Sequence, residues 1–308
     1  MMNNIVTVTC DRDVHQIVLQ SHSLDKFLID PCVHWVIVES STRPISEWEA
    51  LLLPLYKKHT LRLLDNGGDK FPNDLPGYAR QQLMKLCISQ FIQSEYYLIL
   101  DSKDVLLRPT KFSDWGYQEG SGVVCYNNNG DTLQDKLGPN SYYTPFVKLI
   151  EETINVELPD WFWAPLTPFR VQTNVVKKML ETIDLANLFD YKTTGVIEVS
   201  EFILYRYFSN FSFTEQELNT KYMWASESID VDVDVLKNEQ YKSVSFHRWY
   251  IVNNGSRLNR ITDTLINDIG LQSEYVLNAF DIAHWNEQTL TERGHIIFEQ
   301  SNFGFRKI

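Results

Sequence analysis

Residues 77–109 read GYARQQLMKLCISQFIQSEYYLILDSKDVLLRP, a helix pattern, a strand pattern and a charged turn in succession. Over Gly77–Gln93 the apolar residues Met84, Cys87, Ile88 and Phe91 recur at helical spacing, so one face of a helix is predicted to pack on a sheet. Gln81, Gln82, Lys85 and Ser89 then fall on another side, whose bland reading is a solvated surface. Tyr96–Leu100 is an apolar run of strand length, and it stops abruptly at Asp101-Ser102-Lys103-Asp104.

Upstream, the same pattern repeats. Predicted strands at Ile5–Thr9, Trp35–Glu39 and Thr60–Leu64 alternate with predicted helices at Val14–Phe27 and Ser46–Lys58. That alternation builds an α/β fold with a Rossmann-like, mostly parallel central sheet and helices on both faces. After Pro109 the character changes. The pattern predicts a strand at Gly122–Tyr126 with a turn after it, a helix at Ser141–Asn155 and an ordered Trp- and Pro-rich loop, WFWAPLTPF, at 161–169. Helices at Thr173–Ala186 and Ser200–Asn210 and a buried strand at Ser243–Phe246 follow. Asp230, Asp232 and Asp234 alternate with Ile229, Val231, Val233 and Val235, which predicts a half-buried strand with an acidic outer face rather than a calcium loop. No repeat or linker divides the chain, so one domain over 1–308 is expected, with functional halves at 1–109 and 110–308.

The bulk properties exclude several classes. A formal net charge of -12 over 308 residues argues against nucleic acid as a partner. The four cysteines, Cys10, Cys32, Cys87 and Cys125, are scattered singly among apolar residues and read as reduced core residues. No basic-then-apolar leader opens the sequence and no window approaches a membrane span, so cytoplasmic residence is the expectation.

Ligands of open α/β sheets gather beyond the carboxyl ends of the strands, which makes 101–104 central. Two carboxylates and an ammonium there suit a divalent cation or a diphosphate, since hard cations prefer carboxylate oxygens and Lys serves phosphate as a point charge. The structural alternative is an Asp-rich turn that caps the next segment. As a whole, the run 77–109 resembles the central segment of GT-A glycosyltransferases, where a helix precedes a strand ending in an acidic D-x-D motif. It is most similar to a bacterial and phage group of GT-A-like proteins whose strand ends in D-[SA]-[DK], followed by an apolar stretch and Arg-Pro.

That resemblance implies a GT-A fold, a nucleotide-sugar donor and transfer of its sugar to a carbohydrate-like acceptor. It makes Asp101 a catalytic candidate touching the ribose or a metal, and assigns Arg80, Gln81, Lys85, Lys103 and Asp104 to the donor. The second acidic position holds Lys103 instead. Either Asp104 supplies the missing carboxylate to Mn or Mg, or the Lys103 ammonium neutralises the diphosphate and no cation is needed. Asp11 lies where GT-A proteins recognise base and ribose, with capping of the next helix as its alternative.

The segments TPFRVQTNVV (167–176) and IEVSEFILYRYF (197–208) resemble acceptor-side elements of the same group. Thr167 is thereby an acceptor contact and Glu201 a catalytic candidate, the general base for the acceptor hydroxyl, while Ser200 also reads as a plain helix start. Trp163 is a candidate stacking platform for an acceptor sugar. His247 sits where some GT-A enzymes complete the metal shell, giving Asp101, Asp104 and His247 as the candidate metal set; a packed histidine beside Trp249 is the alternative. A noncatalytic glycan- or protein-binding role on the same fold is the rival reading, kept open by Lys103. A dinucleotide-dependent oxidoreductase is disfavoured, because no G-x-G-x-x-G follows the first strand.

Overall fold

The computed structural model describes residues 2–65, 75, 77–115, 144–155, 167–196, 199–209, 220–223, 228–281 and 285. Its first half is a run of βα units: β1 (Asn3–Cys10), α1 (Val14–Phe27), β2 (Cys32–Ser40), α2 (Ile45–Leu52), β3 (Thr60–Asp65), α3 (Gly77–Cys87) and β4 (Tyr96–Asp101). The order across the sheet is β3-β2-β1-β4-β6, where β6 is Phe169–Gln172. The first four strands are parallel and β6 runs antiparallel on β4. From β1 the chain builds outward through β2 and β3, then crosses to the other side of β1 to lay down β4. This reversal makes the carboxyl ends of β1 and β4 a topological switch point, beyond which the crevice that takes a ligand usually lies in such a sheet.

Buried side chains cover both faces, as a parallel sheet demands. On one face Val6, Ile37 and Ile99 pack with Leu83 and Met84 of α3, Phe146 of α4 (Thr144–Ile154), Val176 of α5 (Thr173–Thr182), Leu188 of α6 (Leu185–Phe189) and Ile203. On the other, Ile5, Leu98 and Leu100 meet Leu24 of α1, while Val36 and Val38 meet Trp48 of α2. A short α7 (Tyr191–Thr194) leads to α8 (Glu201–Ser209), which carries Ile203.

A second sheet, of order β5-β8-β7, joins Asp104–Leu106, Ser243–Phe246 and Thr220–Met223. It shares a core with α9 (Ile229–Lys237), α10 (Arg248–Asn254), α11 (Asn259–Asp263), α12 (Ser273–Ala279) and Leu19 of α1. Because β5 begins three residues after β4 ends, residues 101–104 form the passage from one sheet to the other. Among the described residues no helix is long and apolar enough to cross a membrane.

The structure corrects the strand expected at Ile229–Val235: it is helix α9. Ser228 caps it by accepting from the Asp230 N–H, and Asp230 and Asp232 lie in its first turn, where carboxylates meet the positive end of the helix dipole. Ile229, Asp232, Val233 and Leu236 are buried while Val231 is 40% exposed, a helical stripe on a sequence that alternates. Tertiary burial and a good cap overrode the β-branched pattern. The helix expected at Thr173–Ala186 stops at Thr182, and α6 restarts behind Asp184, whose side chain accepts from the Asn187 N–H. The strand expected at Gly122–Tyr126 lies outside the described residues, as do positions 161–166 of the aromatic loop. β5, β6 and β7 were not foreseen; each has only three or four residues and lacks a readable period.

Two alanine substitutions separate the helix from the strand. On a strand Val231 and Val233 share a face, whereas on α9 only Val233 is buried. Val233→Ala should cost about 1–3 kcal/mol and Val231→Ala less than about 0.5 kcal/mol in urea unfolding; equal losses would restore the strand.

Candidate active site

Asp101 closes β4 at the crevice, paired across the sheet with Val8. Each of its polar groups is held. Its backbone N–H donates to Asp104 Oδ2 (2.8 Å), and its carbonyl accepts from Gln20 Nε2 of α1. Lys85 Nζ lies 2.9 Å from Oδ1 and Lys103 Nζ 3.4 Å from Oδ2. The Asp101 carboxylate is 30% exposed and the Lys103 side chain 24%, so this pair faces the surface, whereas Lys85 is 6% exposed.

Lys85 continues inward. Its ammonium lies 3.0 Å from Glu201 Oε1, the first residue of α8, whose side chain is 1% exposed. Gln82, one turn earlier on α3, turns its amide to the same carboxylate, and only its nitrogen, as a donor, satisfies that contact. The Lys85 backbone carbonyl accepts from the Tyr97 hydroxyl at 2.9 Å, and its ammonium stands 5.2 Å from the Phe202 ring centroid. The polar side of α3 is therefore no solvated surface: Gln82 and Lys85 are buried, as is Ser89 in the turn that follows, and Gln81 is only partly exposed. α3 is wedged between the sheet and α8, and both of its faces are used.

The charges explain the protonation states. Burial alone would raise the Asp101 carboxyl, but the Lys85 and Lys103 ammoniums outweigh it and hold the group well below the usual carboxylate range. For Lys85, burial pulls downward while Asp101 and Glu201 more than offset it, keeping the ammonium charged beyond an ordinary lysine. Glu201 stays raised by burial, with Lys85 opposing only in part. Burial, then the charge of Asp101, pushes Asp104 up to about 6. Asp104 is fully buried beside the hydroxyls of Ser245 and Thr167, and its Oδ1 makes no well-formed hydrogen bond.

Several expectations change accordingly. Glu201 cannot reach an acceptor hydroxyl from the core; its geometry is that of a counterion which fixes Lys85. Ser200 does serve the helix start, accepting from the Ile203 N–H at 3.4 Å. Thr167 is 1% exposed, so it meets Asp104 rather than an acceptor. Trp163 lies outside the described residues. Lys85, expected at the donor, is sealed beneath Asp101. Arg80 Nε donates to Glu39 Oε1 at 2.8 Å and Gln81 Nε2 to Glu39 Oε2 at 3.3 Å, which joins the first turns of α3 to the end of β2. Asp11 caps nothing: it accepts from Thr42 N (2.6 Å) and Thr42 Oγ1 (2.8 Å), from Ser41 Oγ, and lies 3.7 Å from Arg43. It ties the loop after β2 to the end of β1.

A divalent cation does not fit the candidate set. Both Asp101 oxygens are engaged by ammoniums, and the Asp104 carboxyl is buried behind the Asp101 peptide. His247 follows β8, and its backbone N–H donates to the Met223 carbonyl at 2.9 Å. Among the described residues no three His, Cys, Asp or Glu side chains gather as a metal would require.

Glu39 and Gln20 were given no role by the sequence, and Gln82 was placed only on the polar side of its helix. Glu39 is 3% exposed at a strand end, and a lone acid closing an apolar strand was the available signal. The two glutamines sit on helix faces, where nothing marks a buried amide.

Residues 1–254 match DUF6492, a family of unknown function. The chain belongs to that family. No curated protein matches the sequence significantly. Among solved structures, the galactosyltransferase LgtC in complex with donor and acceptor sugar analogs is similar at TM-score 0.51 and 11% identity, over 84% of this chain and 94% of that one. An active-site mutant of LgtC gives TM-score 0.51 and 12% identity over the same shares. Mouse xyloside xylosyltransferase 1, in its apo form, gives TM-score 0.46 and 9% identity over 80% of this chain and 98% of that one. The fold of the DUF6492 chain is that of the GT-A glycosyltransferases.

The raised Asp104 sets a pH dependence. A carboxyl that binds its proton more tightly folded than unfolded stabilises fully below its ordinary value of 3.8, and that contribution is lost as pH rises through about 6. Asp104→Asn removes the titration. Its stability relative to wild type should therefore rise between pH 4 and pH 7, by on the order of 2 kcal/mol in urea unfolding. A constant difference across that range would mean that Asp104 is not raised.

Proposed function

We propose that this chain transfers a sugar from a nucleoside-diphosphate donor to a carbohydrate-like acceptor, at the crevice where β1 and β4 end. The observation that carries this reading is the partly exposed Asp101–Lys103 pair at the switch point of a GT-A fold. A nucleoside diphosphate departs as a multiply charged anion, and fixed positive charge must meet it as the bond to the anomeric carbon breaks. Lys103 stands at the surface of the crevice with its ammonium on Asp101, poised to meet that anion. Lys85 has a different part: it holds Asp101 from below and keeps the strand end from swinging. Asp11 and the loop at 41–43, beside the end of β1, supply polar groups where a ribose and base would extend. Glu201 acts through Lys85 and is a positioning residue.

The same geometry favours transfer without a divalent cation. A metal on Asp101 would have to displace an ammonium, and among the described residues no three potential metal ligands gather around it. Lys103 thereby takes the electrostatic role that a metal plays elsewhere. The rival reading, a noncatalytic glycan- or protein-binding role, draws support from the burial of Glu201, which removes the base suggested by sequence. Turnover separates the two.

Thermal unfolding of the purified chain with a panel of nucleoside diphosphates and nucleotide sugars, with manganese or with a chelator, tests the proposal. A ligand present at about 100 times its Kd stabilises by about 2.7 kcal/mol. One nucleotide should raise the Tm equally with manganese and with chelator, Lys103→Met should abolish the rise, and sugar should be released from that donor. A rise that requires manganese would refute the cation-free site. No rise with any nucleotide would refute the donor reading, and binding without sugar release would favour the noncatalytic role.

A further inference from the structure

A hydrogen-bond chain runs through the core beneath Asp101. Gln20 donates to the Asp101 carbonyl through Nε2, and its Oε1 lies 2.9 Å from Thr7 Oγ1 of β1. His34 of β2 follows, with Nε2 3.0 Å from Thr7 Oγ1 and Nδ1 2.5 Å from the Tyr56 hydroxyl. Tyr56 Oη lies 2.8 Å from Ser21 Oγ. Thr7, Gln20, Ser21 and His34 have no exposed surface. Burial, with His59 nearby, pushes His34 down to about 3, so its ring is neutral and carries one N–H.

Counting hydrogens fixes the direction of every link. The Gln20 amide must turn its nitrogen to the Asp101 carbonyl, so its oxygen faces Thr7 and takes the single Thr7 hydrogen. Thr7 then offers only a lone pair to His34, and Nε2 must carry the ring proton. Nδ1 is left as an acceptor, which Tyr56 satisfies with its own hydrogen, and Tyr56 accepts in turn from Ser21. Reversing any one link sets two donors or two acceptors face to face in the core. All donors thus point toward the Asp101 carbonyl, and links in series polarise one another.

The chain ends at a sensitive place. The pairing of β6 with β4 stops at Ile99 and that of β1 with β4 stops at Asp101. The Asp101 peptide is held there by side chains, Asp104 on its N–H and Gln20 on its carbonyl. We infer that Thr7, Gln20 and His34 are positioning residues of the donor site, fixing the Asp101 peptide, and with it the carboxylate between Lys85 and Lys103, by a one-way hydrogen-bond chain. The inference rests on the donor site proposed above. It adds to that site three residues from β1, α1 and β2, none of which touches the ligand.

Two substitutions at Thr7 test it. Thr7→Val keeps the β-branched shape and removes the hydroxyl that joins His34 to Gln20; Thr7→Ser keeps the hydroxyl. In wild type, nitrogen NMR of the His34 ring should show the proton on Nε2, and Thr7→Val should move the Asp101 carbonyl carbon resonance while Thr7→Ser leaves it near wild type. Thr7→Val should also weaken binding of the nucleoside diphosphate found in the panel by about tenfold, and Thr7→Ser by less than about twofold. A ring proton on Nδ1, or an Asp101 resonance unmoved in Thr7→Val, overturns the chain. A resonance that moves with unchanged affinity overturns the positioning role alone. Absence of nucleotide binding in wild type overturns the donor reading, and this role with it, while the ring and carbonyl signals still report whether the chain exists.

Discussion

The Lys85 ammonium sits between Asp101 at the end of β4 and Glu201 at the start of α8, and the arrangement of the site depends on it. Taking a lysine and a glutamate out of water is unfavourable, and a buried ion pair adds little net stability over apolar residues of the same size. What it supplies is a defined geometry. With two carboxylates on one ammonium and the Gln82 amide on the second carboxylate, the strand end and the helix start can meet in few other ways. Asp101 is presented at the surface with one oxygen already committed below, which leaves Lys103 as the outward-facing charge.

Around this centre the two sheets meet in four residues. β4 belongs to the large sheet and β5 to the small one, and the turn between them carries Asp101, Lys103 and Asp104. Asp104 is spent on structure: it accepts from the Asp101 N–H and sits against Ser245 of β8. Charged residues adjacent in sequence therefore have unlike tasks. Asp101 and Lys103 face the crevice, while Asp104 is folded under it and keeps its proton to a higher pH than an ordinary aspartate.

The first hundred residues were legible because their signals are local. Apolar runs of strand length alternate with helical stripes, and the first four strands and α1 stand where their period placed them, while the helices expected at Ser46–Lys58 and Gly77–Gln93 end earlier, at Leu52 and Cys87, each running into a short 3-10 turn. Asp101 was legible for a related reason, since an acid that ends a buried strand next to a topological reversal is conspicuous. The part each charge plays was not legible. Whether Lys85 lies on a wet or a dry face depends on α8, more than a hundred residues later, and nothing between 77 and 109 reports that contact. Glu201 illustrates the same limit: an acid at a helix start reads equally as a base, a cap or a counterion until the ammonium beneath it is seen. In α9 the alternating valines carried a strong β signal that Ser228, Asp230 and Asp232 overrode, and a cap outweighs period only once the helix has a core to pack on.

The most direct measurement is a double-mutant cycle on Lys85 and Glu201, with Lys85→Met, Glu201→Gln and the double variant compared by urea unfolding. If the ammonium joins β4 to α8 as described, each single variant destabilises the chain and the double variant loses less than the sum, with a coupling on the order of 1–3 kcal/mol. Additive losses would contradict the account, because they would mean that Lys85 and Glu201 do not interact and that the ammonium does not join β4 to α8.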